Sequence, residues 1–586
     1  MRDDDHDFAL RPGKIRSRGA RPKSFFNEVL RAVSKQTGGR PTIGVTGKSI
    51  ASSRSTFGRG RGAYGRSLFS ASSRRVAIKA RIARHQGRSF RPAAMAKHLA
   101  YLQREGVTKD SARALMFDAG GDTADENAFI ERCADDRHHF RFIVSPEDAA
   151  GMMDLRAFTR DLARQMETDL GTKLDWVAID HWNTDNPHIH LLVRGVDDTG
   201  ADLVIARDYI ARGMRSRAAD LVTRELGPKP EHEIRAMLER EATADRWTRL
   251  DREIAASVDA GGLLDLRPGR PGPEDPFLRR QMIRRLQYLE TMGLAATDGA
   301  GQWVVGPEAE GRLRELGLRG DIVKTMHRAL TERGLDRAVE DYVIDAPRDM
   351  PPIVGRLVAT GLHDELSGEA FAIVDGVDGR AHHLRFRDVE AFDYAPPPGG
   401  IVELRRFGDS GDPKPTLILA NRSDLDLARQ VTAPGATWLD RRLVERTPLN
   451  LAASGFGLEV QRALRRRAEH LIGEGLAQRD ADRVRFRKNL LDTLRNRELE
   501  AIGNELAQTR GMTFHPAAPG GGVSGTFRET IRLSSGRFAM IGDGLGFQLV
   551  PWSASLERFR DRQVSGIVRD DGGVDWRLER TRGISR

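Results

Sequence analysis

The apolar and polar positions divide the first 230 residues into short alternating elements. Arg74 to His85 alternates and predicts a first strand. Ser89 ahead of Pro92 signals a helix start. Met95, Leu99 and Leu102 then recur at helical spacing, and Gly106 lies just past the end. His139 to Ser145 predicts a second strand, and Met152 to Leu170 an amphipathic helix that ends before Gly171. Leu174 to Asp180 and His188 to Gly195 are strand-length apolar runs joined by a turn rich in Asn, Asp and Pro. Leu203 to Leu226 predicts a short strand followed by a helix closed by Gly227. This order predicts an α+β fold: one antiparallel-containing sheet, helices packed on a single face, and the opposite face free for a ligand.

Past residue 227 the pattern is broken by proline-rich segments. They lie at Gly227–Pro230, Arg267–Pro273, Ala346–Pro352, Ala395–Gly400 and Pro516–Gly522. Glu231 to Val258 predicts a charged helical stretch. Arg285 to Val305 and Arg467 to Phe486 resemble one another: each has helical spacing, a glycine stop, a polar turn and a short β-forming run. Both are expected to be winged-helix-like. Ile353 to Phe386 and Thr526 to Trp576 are β-rich with glycine turns and predict small barrel-like modules. The expected division is therefore an arm over 1–73, a sheet domain over 74–227, a helical middle region over 228–346, a β module over 350–420, a second helical segment over 421–510 and a C-terminal β module over 520–586.

Charge changes this picture at one end. The chain carries a formal net charge of +10, but residues 1–90 hold 21 Lys and Arg against five Asp and Glu. With its interleaved Gly and Ser, this arm is expected to be disordered when free and to contact nucleic-acid backbone. No apolar run is long enough to span a bilayer, so no membrane insertion is expected, and the acidic start is no signal peptide. Cys133 is the only cysteine, which excludes an intrachain disulfide and suits a reducing cytoplasm.

The chemistry concentrates in Asp180-His181-Trp182-Asn183-Thr184-Asp185-Asn186-Pro187-His188-Ile189-His190. His188 and His190 share one face of a strand, and folding the hairpin returns His181 beside them. Three converging imidazoles make a divalent-metal site with open positions, suited to holding a phosphate oxygen. Asp180 is a candidate for orienting a histidine N–H. Ser145, Arg104 and Arg194 are candidate phosphate or DNA contacts. The adjacent pair His382-His383 points to opposite strand faces and makes a poor metal pair.

Together with the helix that carries Tyr101, the segments His98–Gly106, His139–Pro146 and His181–Val193 resemble conjugative relaxases and mobilization nucleases of the MobA/VirD type, in the HUH endonuclease superfamily. Asn183, Asn186 and Arg194 depart from residues common in that group. The region from about 350 resembles an uncharacterised domain that accompanies a subset of these relaxases. The resemblance implies an HUH-type fold and metal-assisted nicking of single-stranded DNA at an origin of transfer. It makes Tyr101 the nucleophile, with a 5′-phosphotyrosyl product, and His181, His188 and His190 the ligands of Mg or Mn. It also implies accessory relaxosome proteins, a type IV secretion coupling protein, and a bacterial cytoplasmic protein that can pass through a secretion channel with the DNA. Tyr209 is the second candidate nucleophile. The alternatives are a rolling-circle replication initiator and a non-catalytic DNA-binding regulatory or partition protein. A histidine-triad nucleotide hydrolase would need a third alternating histidine, where Leu192 stands.

Overall fold

The computed structural model describes Arg59 and residues 73–84, 92–103, 108, 113–182, 186–259, 262–270, 273–344, 351–407, 416–480, 483–570 and 572–577. Two compact units result, one of residues 1–320 together with Glu365–Ser367, the other of the remaining chain. The basic arm, apart from Arg59 and Ser73, lies outside the described residues, as do Arg104 and Asp185. Arg59 itself pairs by a parallel bridge with Ile205, and its guanidinium binds Asp197 and the carbonyl of Gly171.

In the first unit, strands β1 (Val76–Arg84), β2 (His138–Pro146), β3 (Trp176–His181) and β4 (His188–Arg194) form an antiparallel sheet in the order β1-β2-β4-β3. Alternation sends Val76, Ile78, Phe140, Phe142, Val144, Trp176, Ala178, Ile189, Leu191 and Val193 into one core. Two helices cover that face, α3 (Leu155–Leu170) through Phe158, Leu162 and Met166, and α4 (Met214–Leu226) through Met214, Ala218 and Val222. Asp154 caps α3 by accepting from two backbone N–H groups, and Gly171 ends it in the left-handed region at φ 65°.

The expectation that every helix packs on a single face is corrected by α1 (Pro92–Leu102), whose last carbonyl is bonded to His181 on the other face. Its stripe of Met95, Leu99 and Leu102 is buried. The first face is already covered by α3 and α4, so this apolar stripe finds its cover elsewhere. A short helix, α2 (Glu126–Arg132), capped by Asp125, escaped the sequence reading because only Phe129 and Ile130 of its residues bury apolar surface. The strand expected near Leu203 is reduced to isolated bridges, and a π-turn at Tyr209–Gly213 leads into α4.

The middle region contains α5 (Glu231–Glu241), α6 (Arg249–Ser257), β5 (Leu263–Asp265), α7 (Pro276–Thr291), β6 (Ala295–Gly299), β7 (Gln302–Val305) and α8 (Ala309–Thr331). The predicted continuous helical stretch is thus two helices. Thr248 and Asp251 form a reciprocal capping box that starts α6. The buried Arg285 of α7 binds Asp251 bidentately and takes the carbonyls of Ala244 and Arg246 in the break between the helices.

The second unit begins its sheet with β8 (Tyr342–Ile344), β9 (Ile353–Asp364), β10 (Glu369–Gly376), β11 (Ala381–Phe386), β12 (Ile401–Phe407) and β13 (Thr416–Ser423), in the order β13-β12-β9-β10-β11-β8. It continues through α9 (Leu427–Thr432), α10 (Trp438–Val444), α11 (Gly455–Gly473), β14 (Ala477–Asp480), β15 (Arg483–Phe486) and α12 (Leu490–Arg510). A second six-stranded sheet closes the chain: β16 (Thr513–Phe514), β17 (Gly522–Leu533), β18 (Gly536–Gly542), β19 (Gly546–Pro551), β20 (Gln563–Val568) and β21 (Val574–Arg577), ordered β16-β19-β18-β17-β20-β21. Both β modules were expected to be barrel-like; among the described residues both sheets are open, since neither pairs its two end strands. Alternation and glycine turns specify hairpins, whereas closure depends on a non-local pairing that these patterns do not encode.

The two segments that resemble one another fold alike in detail. Thr437 and Asp440 form the capping box of α10, as Thr248 and Asp251 do in α6. Arg467 of α11 binds Asp440 bidentately and takes the carbonyls of Ala433 and Gly435. Gln430 accepts from Leu439 N–H as Glu241 accepts from Leu250 N–H. Gly293 and Gly475 stop α7 and α11 at φ 69° and 67°, and the hairpins β6–β7 and β14–β15 follow.

Candidate metal centre

His181 ends β3 and stands directly opposite His188 on β4, while His190 pairs with Ile179. The three imidazoles sit with ring centroids 4.5–5.3 Å apart, and all are buried. Their backbone partners set which nitrogen faces inward. His181 Nε2–H donates to the carbonyl of Leu102 at 2.7 Å, which leaves Nδ1 as the lone-pair atom. That Nδ1 is buried and has no hydrogen-bond partner among the described residues. His188 Nδ1–H donates to the carbonyl of Asn186 at 3.0 Å, so its Nε2 faces inward, 3.2 Å from His190 Nε2.

The fourth member is Glu365. Its Oε2 lies 3.1 Å from His188 Nε2 and 3.2 Å from His190 Nε2, and its Oε1 lies 3.9 Å from His181 Nδ1. One donor atom from each of the four side chains falls within 4.8 Å of all the others, so the group could hold a metal ion. Among the described residues it is the one His, Cys, Asp and Glu group with this geometry. The donor set fits a cation on physical grounds. An orphaned Nδ1 and two crowded imidazole nitrogens beside a carboxylate are costly without one, and a divalent ion takes exactly such N and O donors.

Burial sets the protonation of His181 and its neighbours set that of Glu365. Burial, and next the neighbouring His190, push the His181 imidazole down to about 3. Burial pushes the Glu365 carboxyl up, but its close contacts with His188 and His190 outweigh it and hold the group well below the usual carboxylate range. His98, buried on α1, is also held neutral, first by burial and then by the charge of Arg141.

Tyr101 is half-buried on α1, one residue before the carbonyl that anchors His181. Tyr209 lies elsewhere. It is fully buried in the core under α3 and α4, and its hydroxyl donates to Asp169 at 3.0 Å. The role considered for Asp180 is corrected. Strand alternation turns it away from His181, and its two oxygens accept from Arg156 of α3 and from the Trp182 indole. Arg194 is held bidentately by Asp136. Ser145 donates weakly to the carbonyl of Pro187 at 3.4 Å, joining the end of β2 to the histidine turn. His382 binds Asp378 while His383 stacks on Phe371, so this pair converges on no shared site.

Sequence reasoning missed Glu365. It sits in Asp364-Glu365-Leu366-Ser367-Gly368, an ordinary polar hairpin tip, and no spacing relates it to the histidines.

The fold and site define an α+β chain with a buried three-histidine, one-glutamate group suited to a metal ion. Residues 282–414 and 412–585, just over half of the chain, match the family described as a protein of unknown function (DUF3363), and the chain belongs to that family. Among curated proteins and solved structures, nothing matches it. No helix among the described residues is long and apolar enough to cross a membrane.

Proposed function

We propose that the chain is a metal-dependent DNA strand transferase of the relaxase type, which nicks single-stranded DNA at an origin of transfer. One observation carries this reading: three imidazoles converge from adjacent strands with a ligand atom each, and the residue after Tyr101 holds the first imidazole in place. The MobA/VirD-type resemblance of the same segments supports it.

His181, His188, His190 and Glu365 would hold the metal. A divalent ion bound there supplies Lewis acidity toward a non-bridging oxygen of the scissile phosphate. The protein's own groups do the rest. The Leu102 and Asn186 carbonyls fix the tautomers of His181 and His188. Tyr101 Oη forms a bond to phosphorus, the bond from phosphorus to the 3′ oxygen breaks, and the phenol proton ends on that oxygen as a 3′-OH. The link is a phosphodiester, so the reverse attack reseals the strand. A phenol is a weak nucleophile near neutral pH. His98 stands one helical turn before Tyr101 on α1 and is buried, and burial holds its imidazole well below the ordinary value, which makes it a poor proton acceptor. The basic arm and the coupling and accessory proteins of a transfer apparatus belong to the same reading.

The test is a denaturing gel after incubation with a single-stranded oligonucleotide carrying the nick site and Mn²⁺. The expected result is a covalent protein–DNA adduct that is lost with EDTA and in Tyr101→Phe. An adduct that persists in Tyr101→Phe removes that residue from the role. Nicking without any adduct, or none with any origin sequence from the neighbouring DNA, overturns the reading.

A further inference from the structure

The duplicated helical modules retain more than their buried frame. Aligned on the buried arginines, Arg280 and Arg284 of α7 correspond to Arg462 and Arg466 of α11, five and one positions before Arg285 and Arg467. All four are exposed. None makes an ion pair among the described residues, and Arg280 only lies over the Phe277 ring. Other exposed positions of the two helices have diverged: Gln287 corresponds to Glu469, and Glu469 is paired with Arg479.

The buried arginine explains its own retention, because Asp251 or Asp440 and two or more carbonyls depend on it. The exposed pair has no such structural task. Two guanidiniums one helical turn apart, roughly 6 Å along the axis, with no carboxylate to neutralise them, form a local cationic ridge. A helix that carries such a ridge and is followed by a β-hairpin has the shape to approach a duplex and place cations on its phosphates. Module two adds the exposed Arg465 of the same helix to the ridge.

We propose that α7 and α11 are two contact surfaces for double-stranded DNA, distinct from the single-strand site at the histidines. The proposal stands whether or not the chain is a nuclease. Each module presents its ridge within its own compact unit, so the full chain carries two duplex contacts.

The experiment measures binding of the full-length protein to a short fluorescein-labelled duplex by anisotropy across a salt series. It compares wild type with Arg280→Gln/Arg284→Gln, with Arg462→Gln/Arg466→Gln, and with all four replaced. Each pair is expected to reduce the slope of log K against log salt by about 2, and the quadruple variant by about 4, while binding to a single-stranded oligonucleotide stays unchanged. Far-UV circular dichroism and the unfolding profile confirm that these exposed changes leave the fold intact. A wild-type slope in either pair overturns the proposal. So does displacement of the duplex by polyglutamate as readily as by unlabelled duplex, which would mark a surface for acidic protein.

Discussion

His188 Nε2 and Glu365 Oε2 stand 3.1 Å apart although 177 residues separate them in the chain. The carboxylate therefore fills the position that a three-histidine site alone would leave open. With a metal bound it would add a negative charge to three imidazole ligands, and on the proposed reading it would also occupy space that an incoming phosphate oxygen needs.

Replacing Glu365 with Ala separates these two effects. Metal affinity should fall by about tenfold or more, as for loss of a supporting carboxylate at a histidine site. Nicking at saturating metal should be at least as fast as in wild type, since the three imidazoles remain and the site is more open. Calorimetric titration with Mn²⁺ and a nicking time course measure the two quantities. Unchanged affinity would remove Glu365 from the ligand set.

His188→Ala and His190→Ala should divide catalysis from binding. Loss of a ligand that stabilises charge at the phosphate is expected to lower nicking by about 100-fold or more. Single-strand affinity should stay near wild type, because on the proposed reading phosphate contacts outside the site would supply most of it. Parallel loss of both in a mobility-shift and nicking pair would assign the histidines a structural role.

The pH dependence of stability follows from His181. In the folded, metal-free chain its imidazole is depressed to about 3 from the ordinary 6.5. Above pH 6.5 both states are neutral and its contribution is fully present. As pH falls below 6.5 the unfolded state takes a proton that the folded state refuses, so stability declines until about pH 3. Glu365, also depressed, adds its own loss only below the ordinary carboxylate value. Urea midpoints in EDTA should therefore drop between pH 6.5 and 5 in wild type, and drop less in His181→Gln. Equal slopes would show that His181 titrates normally.

Arg467→Ala leaves Asp440 buried and unpaired, with the carbonyls of Ala433 and Gly435 unsatisfied. The expected cost is about 3–5 kcal/mol, and Arg285→Ala should match it in the other module. The exposed Arg466→Ala should stay within about 0.5 kcal/mol. Denaturant unfolding of the full chain measures all three, and a mild Arg467→Ala would show that the module does not depend on this pair.

Tyr209→Phe tests the second tyrosine. It removes the hydroxyl bonded to Asp169 in the core, which should cost about 1–2 kcal/mol. The covalent adduct should form as in wild type. Loss of the adduct in this variant, with Tyr101→Phe active, would transfer the nucleophile to position 209.

The sequence by itself determined the local elements and the core of the site. Period-2 alternation fixed β1, β2 and β4 to within a residue or two, and the same alternation put His188 and His190 on one face. The Asn- and Pro-rich turn fixed the hairpin that brings His181 opposite His188. The repeated helix, glycine stop and hairpin were legible because each step rests on a short-range rule. Tertiary structure decided the remainder. Which face α1 covers, whether six strands close, and the fourth member of the metal group all depend on contacts between segments far apart in the chain. Asp180 shows the limit on a single residue: its chemistry suited a partner for His181, yet one step along a strand faces the opposite side, where Arg156 and Trp182 take it. Glu365 shows the converse. A glutamate in a polar turn carries no local sign of its partners, and only the folded chain brings its carboxylate to three imidazoles.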